Sequence, residues 1–248
     1  MFRIVVSDAR SFKGAIDSIV NLIDEGQLEF TTEGIRLKAM DTSQIAMVCF
    51  FMPKDVFLEY DVQSTSRVGI NFDSLSKVLG RARAGEQLEV LEDENKLVLR
   101  FVAEKKKRSF KLPIIEMPSG IQKEPLIEHD AFVKITAAAL KELLKDAALI
   151  SSHITFEAND SGFFADVKGD GANLHSEYEK DSSEISEIIA KASSRATFPL
   201  QYLDDVTKAA PDTEEIEIKL KTNAPIKITY EVEGANVSYY LAPRLDSD

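Results

Sequence analysis

The strongest constraint on this chain is that its second half rewrites its first at a fixed offset of 128 residues. That shift carries Phe12 onto Leu140, Leu28 onto Phe156, Gly34 onto Gly162, Leu75 onto Leu203, Val78 onto Val206 and Leu88 onto Ile216. Helix-spaced apolar positions fall on helix-spaced ones, and alternating stretches on alternating ones. Two copies of one strand–helix–strands unit follow, and 248 residues leave room for two cores of ordinary size.

Local patterns fill in each copy. Phe2–Val6 reads as a short strand, after which Asp8 is placed to cap a helix with Phe12, Ala15, Ile16, Ile19, Val20 and Ile23 on its apolar side. Gln27–Thr31 and Ile35–Ala39 alternate around Glu33-Gly34 as a hairpin, and Ile45–Phe51 follows as a strand. Asp73 is placed to cap a second helix, with Leu75, Val78, Leu79 and Ala82 inward and Lys77, Arg81 and Arg83 outward. Strands are expected at Gln87–Leu91, Leu97–Val102 and Ser109–Leu112. In the second copy Thr136 caps a helix with Leu140, Leu143, Leu144 and Ala147 inward; Pro199 suits the first turn of a fourth helix, which Pro211 closes. Ser183–Ala192 has an acidic amphipathic pattern, but its counterpart in the first half favours extended structure, followed by strand Arg195–Phe198. Between the copies, Pro113, Pro118, Pro125 and Ser119-Gly120 rule out a continuous helix or a central strand. Ile114, Ile115, Met117, Ile121, Leu126 and Ile127 nevertheless make that segment too apolar for a solvated tether.

Catalytic chemistry finds little support. Scattered aspartates make no acid–base or metal spacing, and His129, His153 and His175 share no ligand pattern. There is no nucleophile elbow, phosphate loop or dinucleotide fingerprint, so a non-enzymatic protein without cofactor or metal is expected. Cys49 stands alone and reads as a small buried hydrophobe. No apolar run approaches the ~20 residues of a membrane span, and Arg3 and Asp8 interrupt the start where a signal peptide would continue.

A net charge of −12 argues against a surface wrapped in nucleic acid but leaves room for a local basic strip. The outward helix faces offer Arg10, Lys13, Lys77, Arg81, Arg83, Lys141, Lys145 and Lys208 at matched places in the two copies. Such a surface meets phosphates without reading sequence. Lys105–Arg108 reads as a hairpin turn, either solvated or in contact with phosphate.

The stretch Gly34–Ile45 (GIRLKAMDTSQI) resembles the signature hairpin of the sliding clamps called proliferating cell nuclear antigen. Leu75–Leu79 resembles their second helix and Tyr239–Arg244 their C-terminal motif; Met1-Phe2, Tyr202-Leu203 and Thr207–Ala209 also fit. The resemblance covers essentially the whole chain and looks archaeal. It implies an α+β DNA clamp fold: two similar domains, 1–113 and 131–248, joined by a connector at 114–130, each with antiparallel sheets outside and two helices inside. Three subunits, identical or paralogous, would form a pseudo-sixfold ring around duplex DNA. The implied interface pairs Lys107, Ser109, Phe110, Lys111 and Leu112 of one subunit with Asn173, Leu174, His175, Ser176, Glu177 and Tyr178 of the next. The implied peptide groove is formed by Met40, Gln44, Ile45, Leu126, Pro225, Tyr240, Leu241, Ala242 and Pro243. Implied partners are double-stranded DNA, a replicative polymerase, a flap endonuclease, a DNA ligase and an ATP-dependent clamp loader, inside the cell and on DNA. A duplicated binding scaffold that does not encircle DNA is the alternative.

Overall fold

The structure, a computed structural model, describes residues 2–117 and 122–245. Met1, Pro118, Ser119-Gly120, Ile121 and the acidic end after Leu245 lie outside the described residues. One compact unit comprises Met1–Thr42, Val48–Lys123 and Val232–Val237; the other comprises Ser43–Met47, Glu124–Glu231 and Ser238–Asp248.

In the first unit β1 (Phe2–Val6) leads into α1 (Ala9–Val20), then β2 (Glu25–Thr31), β3 (Gly34–Met40), β4 (Ala46–Pro53), β5 (Glu59–Val62) and β6 (Ser66–Asn71). α2 (Phe72–Leu79) follows, then β7 (Gln87–Asp93), β8 (Lys96–Ala103) and β9 (Lys106–Pro113). One sheet has the order β5-β1-β7-β8-β9, and a second run of neighbours is β6-β2-β3-β4. Asp8 caps α1 as expected, its carboxylate accepting from Arg10 N at 2.9 Å. Phe12, Ala15, Ile16 and Ile19 turn into the core, where Phe30, Phe72 and Phe101 are also wholly buried.

The second unit repeats the plan. It contains β10 (Ala131–Thr136), α3 (Ala137–Ala148), β11 (His153–Asn159), β12 (Gly162–Lys168), β13 (Asn173–Glu179), β14 (Ile185–Ala190) and β15 (Ser194–Pro199). α4 (Leu200–Thr207), β16 (Glu215–Leu220), β17 (Ile226–Val232) and β18 (Ala235–Leu241) complete it. The neighbours run β14-β10-β16-β17-β18 and β15-β11-β12-β13, the first unit's two orders strand for strand. The 128-residue shift carries α1, β2, β3, β6 and α2 onto α3, β11, β12, β15 and α4 with both ends coinciding. Ser183–Ala192 holds strand β14, as the repeat argues against its amphipathic pattern. The repeated hairpin glycine has a packing cause. A Cβ on Gly34 would stand 2.3 Å from Met52 O, and one on Gly162 would stand 2.6 Å from Tyr178 O.

Four expectations about the helices and Cys49 need correction. α2 is capped by Asn71, whose side chain accepts from Ser74 N at 2.9 Å; Asp73 sits in the first turn instead. Because α2 ends at Leu79, Arg81, Ala82 and Arg83 lie in the turn that follows it. Pro199 is the N-cap of α4, one residue ahead of the first turn where it was expected. Cys49 is only half-buried, since it shares the less covered face of β4 with Phe51 and Pro53. Among the described residues no helix is long and apolar enough to cross a membrane.

Candidate functional site

The helices of each unit pack as a pair and turn their polar sides outward. In the first unit Arg10 pairs with Asp8 at 2.7 Å, and Lys13 pairs with Asp17 one helical turn on. Ser76 Oγ reaches the same Asp17 at 3.3 Å, tying α2 to α1. Lys77, Arg81 and Arg83 are exposed at the end of α2 and beyond it. The outward groups of this pair are predominantly basic.

The second pair differs. Lys141 Nζ donates to Ala210 O at 2.5 Å and to Asp212 at 2.8 Å, so most of its charge is answered locally. Its hydrogen bond is also what holds the Asp212 carboxyl below the usual range. Lys145 pairs with Glu142 at 2.6 Å. Lys208 is exposed at the C-cap of α4, near Asp204, whose carbonyl accepts its backbone N–H at 3.0 Å. Asp146, Asp204 and Asp205 add negative charge to α3 and α4. Carboxylates thus answer Arg10 and Lys13 in the first unit and Lys141 and Lys145 in the second, which leaves exposed Lys77, Arg81 and Arg83 in the first against Lys208 in the second. The Lys145–Glu142 spacing is visible in the sequence; the Lys141–Asp212 pair, 71 residues apart, is not.

Lys105–Arg108 does not form a turn. The turn is Glu104-Lys105, and Lys106, Lys107 and Arg108 open β9, paired with Ala103, Val102 and Phe101 of β8. Arg108 stacks over Phe101 at 4.9 Å and bonds Glu86 at 2.5 Å and Arg81 O at 3.1 Å, which removes it from solvent.

β9 and β13 each stand last in their sheet. β9 half-buries Phe110 and Leu112 and exposes Lys107, Ser109 and Lys111. β13 half-buries Leu174, Ser176 and Tyr178 and exposes Asn173, His175 and Glu177. β9 carries Lys106, Lys107, Arg108 and Lys111, and β13 carries Glu177 and Glu179. On β13, His175 bonds Asp166 at 2.7 Å and Glu177 at 2.8 Å, and these two carboxylates raise its pKa.

Of the expected groove residues, all but Met40 lie in the second unit; Met40 ends β3 in the first and is half-buried. Ala242 N donates to Ile45 O at 2.9 Å, which draws the C-terminal motif to the Gln44-Ile45 turn. Gln44 takes a positive φ of 59° there. The segment through Leu126 is pinned on both sides. Glu124 meets the Tyr240 hydroxyl at 3.2 Å, and His129 Nε2 meets Pro225 O at 3.2 Å. Burial lowers the His129 pKa, and Lys219, Lys227 and Lys221 add to the effect against that hydrogen bond. Leu126 itself is wholly exposed and Ile45 is 37% exposed, so both present apolar surface to solvent. Tyr240 is only 6% exposed and Leu241 not at all, so Leu241 belongs to the core. Sequence reading missed Glu124 and Lys227, which hold the Tyr240 ring from two sides. Only the fold brings them to it.

The family model described as proliferating cell nuclear antigen, N-terminal domain, matches residues 1–119, and the model for the C-terminal domain of the same antigen matches residues 123–245. A DNA polymerase sliding clamp of Methanococcus maripaludis is 36% identical over 255 residues, covering 100% of both chains. One from Thermofilum pendens is 27% identical over 248 residues, covering 99% of this chain and 100% of its own. Among solved structures, the antigen from Thermococcus kodakaraensis matches with a TM-score of 0.93 at 26% identity, over 98% of this chain and 100% of its own. The antigen of A. fulgidus, solved with the C-terminal region of FEN-1 bound, matches with a TM-score of 0.88 at 28% identity, over 100% of both chains. Two family domains in sequence, a duplicated fold and full-length relatives agree: the chain belongs to the proliferating cell nuclear antigen family.

Proposed function

We propose that this protein is a DNA sliding clamp: three copies close into a ring around duplex DNA and tether replication and repair enzymes to it. The observation that carries the reading is the duplicated unit, a polar helix pair against sheets that end in unpaired strands. An exposed strand edge is a hazard unless another strand occupies it. β9 is basic and β13 acidic, so β9 of one copy suits β13 of the next, a head-to-tail contact that closes into a ring of identical chains. Residues 114–130 then serve as the connector between two clamp domains.

Within that ring the helices face DNA, and contact with phosphates falls chiefly to Lys77, Arg81 and Arg83, helped by Arg10 and Lys13. Lys141, Lys145 and Lys208 contribute less. The second-unit groove around Ile45, Leu126, Pro225 and Ala242-Pro243 takes a partner peptide by its apolar anchors; that the A. fulgidus relative binds the C-terminal region of FEN-1 supports a peptide as the occupant. A polymerase, a flap nuclease and a DNA ligase are the expected users, and an ATP-driven loader is needed to open the ring. No bond is made or broken by the clamp. Its effect is local concentration: an enzyme held to a ring that stays on DNA meets its substrate again after each release.

The test is topological. Clamps loaded on a nicked circle should be retained, then lost when the circle is cut to a linear form. Retention unchanged by linearisation would reject encirclement and leave a surface-binding scaffold.

A further inference from the structure

One face of β11, β12 and β15 is buried: Ile154, Phe156, Val167, Ala196 and Phe198 have almost no exposure and share the core with α3 and α4. The opposite face opens into a cleft of ≈ 420 Å³ whose walls include His153, Thr155, Lys168, Arg195, Thr197 and Arg244. Three permanent cations thus converge in a chain of net charge −12, with Asp166 the one carboxylate in the lining. Arg195 Nη1 bonds both Glu157 at 2.8 Å and Asp166 at 2.9 Å, which fixes the guanidinium while its Nε and Nη2 donors stay outside those two pairs. Thr155 and Thr197 hydroxyls lie 2.8 Å apart on the floor.

The cleft continues the groove. Ala242 N bonds Ile45 O at 2.9 Å, and two residues further on Arg244 N bonds Thr197 O at 2.8 Å. One short stretch of backbone, Ala242–Arg244, therefore borders both places. We propose that this cleft takes the carboxylates of an acidic segment running on from a partner peptide docked in the groove; the proposal rests on the groove reading above. Charge complementarity selects an anion, and continuity with the groove selects one attached to the docked peptide. Nucleic acid is disfavoured because the cleft lies on the sheet face away from α3 and α4.

The experiment measures calorimetric affinity of the full-length protein for a synthetic groove peptide copied from the C-terminal region of FEN-1 that the A. fulgidus relative binds. The peptide is tested alone, and with a tetraglutamate or a tetraglutamine extension at either end. One tetraglutamate extension should tighten binding about tenfold over its tetraglutamine counterpart, with the gain shrinking in high salt. Lys168→Gln and Arg195→Gln, each checked by thermal melt, should abolish the gain and leave the unextended peptide unaffected. Lys168 is on the surface, so its variant reports even if Arg195→Gln loosens the Glu157–Asp166 pairs. Equal affinities of the acidic and the neutral extended peptides at both ends, with the core peptide still bound, overturn the cleft alone. A core peptide that fails to bind overturns the groove and the cleft together. Variants that weaken duplex DNA binding and leave the tetraglutamate gain intact assign the cleft to phosphates and overturn the proposal.

Discussion

The hydroxyl of Tyr240 meets Glu124 Oε2 at 3.2 Å while Lys227 Nζ stands 5.1 Å from the centre of the same ring. The tyrosine is thus held by its own chain and is nearly buried, whereas Leu126, two residues past Glu124, is wholly exposed. The two positions should respond differently. Leu126→Ala removes apolar surface that only a partner can cover, so partner-peptide affinity should fall about tenfold while stability stays within ~0.5 kcal/mol. Tyr240→Ala opens a cavity and should cost about 3 kcal/mol of stability as well as affinity. Calorimetry and thermal melts on both variants check this. A Leu126→Ala protein that binds the peptide as before would remove Leu126 from the groove.

The helix pairs make an asymmetric prediction. Lys77, Arg81 and Arg83 are exposed, whereas Lys141 is bonded to Ala210 O and Asp212, and Lys145 to Glu142. Replacing Lys77 and Arg81 together by alanine should lower the slope of log affinity for duplex DNA against log salt by about 2. Replacing Lys141 and Lys145 together should change that slope by less than about 1, because their charges are largely answered within the protein. Equal effects of the two double variants would sink the asymmetry.

What the sequence made legible follows from the range of the forces involved. The 128-residue repeat and the helix faces are local patterns, and they returned four helices, the duplicated hairpin and strand β14 at their places. Boundaries failed where two caps compete within a few residues: Asn71 took the role that Asp73 could also have filled. The basic residues of the helix faces can be read from the sequence, but the carboxylates that answer them cannot all be. Lys141 is answered by Asp212 and Arg108 by Glu86, pairs made by tertiary packing. The expected groove residues came from the family motif and not from physics, because exposure separates Leu126 from Leu241 and exposure is not written in residue type.

Gly69 tests how the segment after β9 is fixed. Ile115 N donates to Gly69 O at 2.9 Å, and a Cβ on Gly69 would lie 2.1 Å from Ile115 O and 2.9 Å from Met117 Cγ. Gly69→Ala must push the segment off β6. The expected cost is about 3 kcal/mol, with faster proteolytic cleavage near residues 114–117. Ser66→Ala on the same strand should not accelerate cleavage. A Gly69→Ala protein as resistant as the parent would mean that the segment is held elsewhere.

His175 gives the pH prediction. Its hydrogen bonds to Asp166 and Glu177 raise its pKa above the ordinary 6.5. Burial opposes ionisation of Asp166, but His175 and Arg195 outweigh it and lower its pKa below the ordinary 3.8. The folded state binds the His175 proton more tightly than the unfolded chain does. Its stabilisation is therefore complete below about pH 6.5 and fades as pH rises through the raised value. On the acid side it persists until Asp166 is protonated, below 3.8. His175→Asn should thus lower the melting temperature at pH 5.5 and have little effect at pH 9, by a small margin because the ring is 54% exposed. An NMR titration of the His175 ring reads the cause directly: a midpoint at or below 6.5 would show that the two carboxylates do not hold the proton.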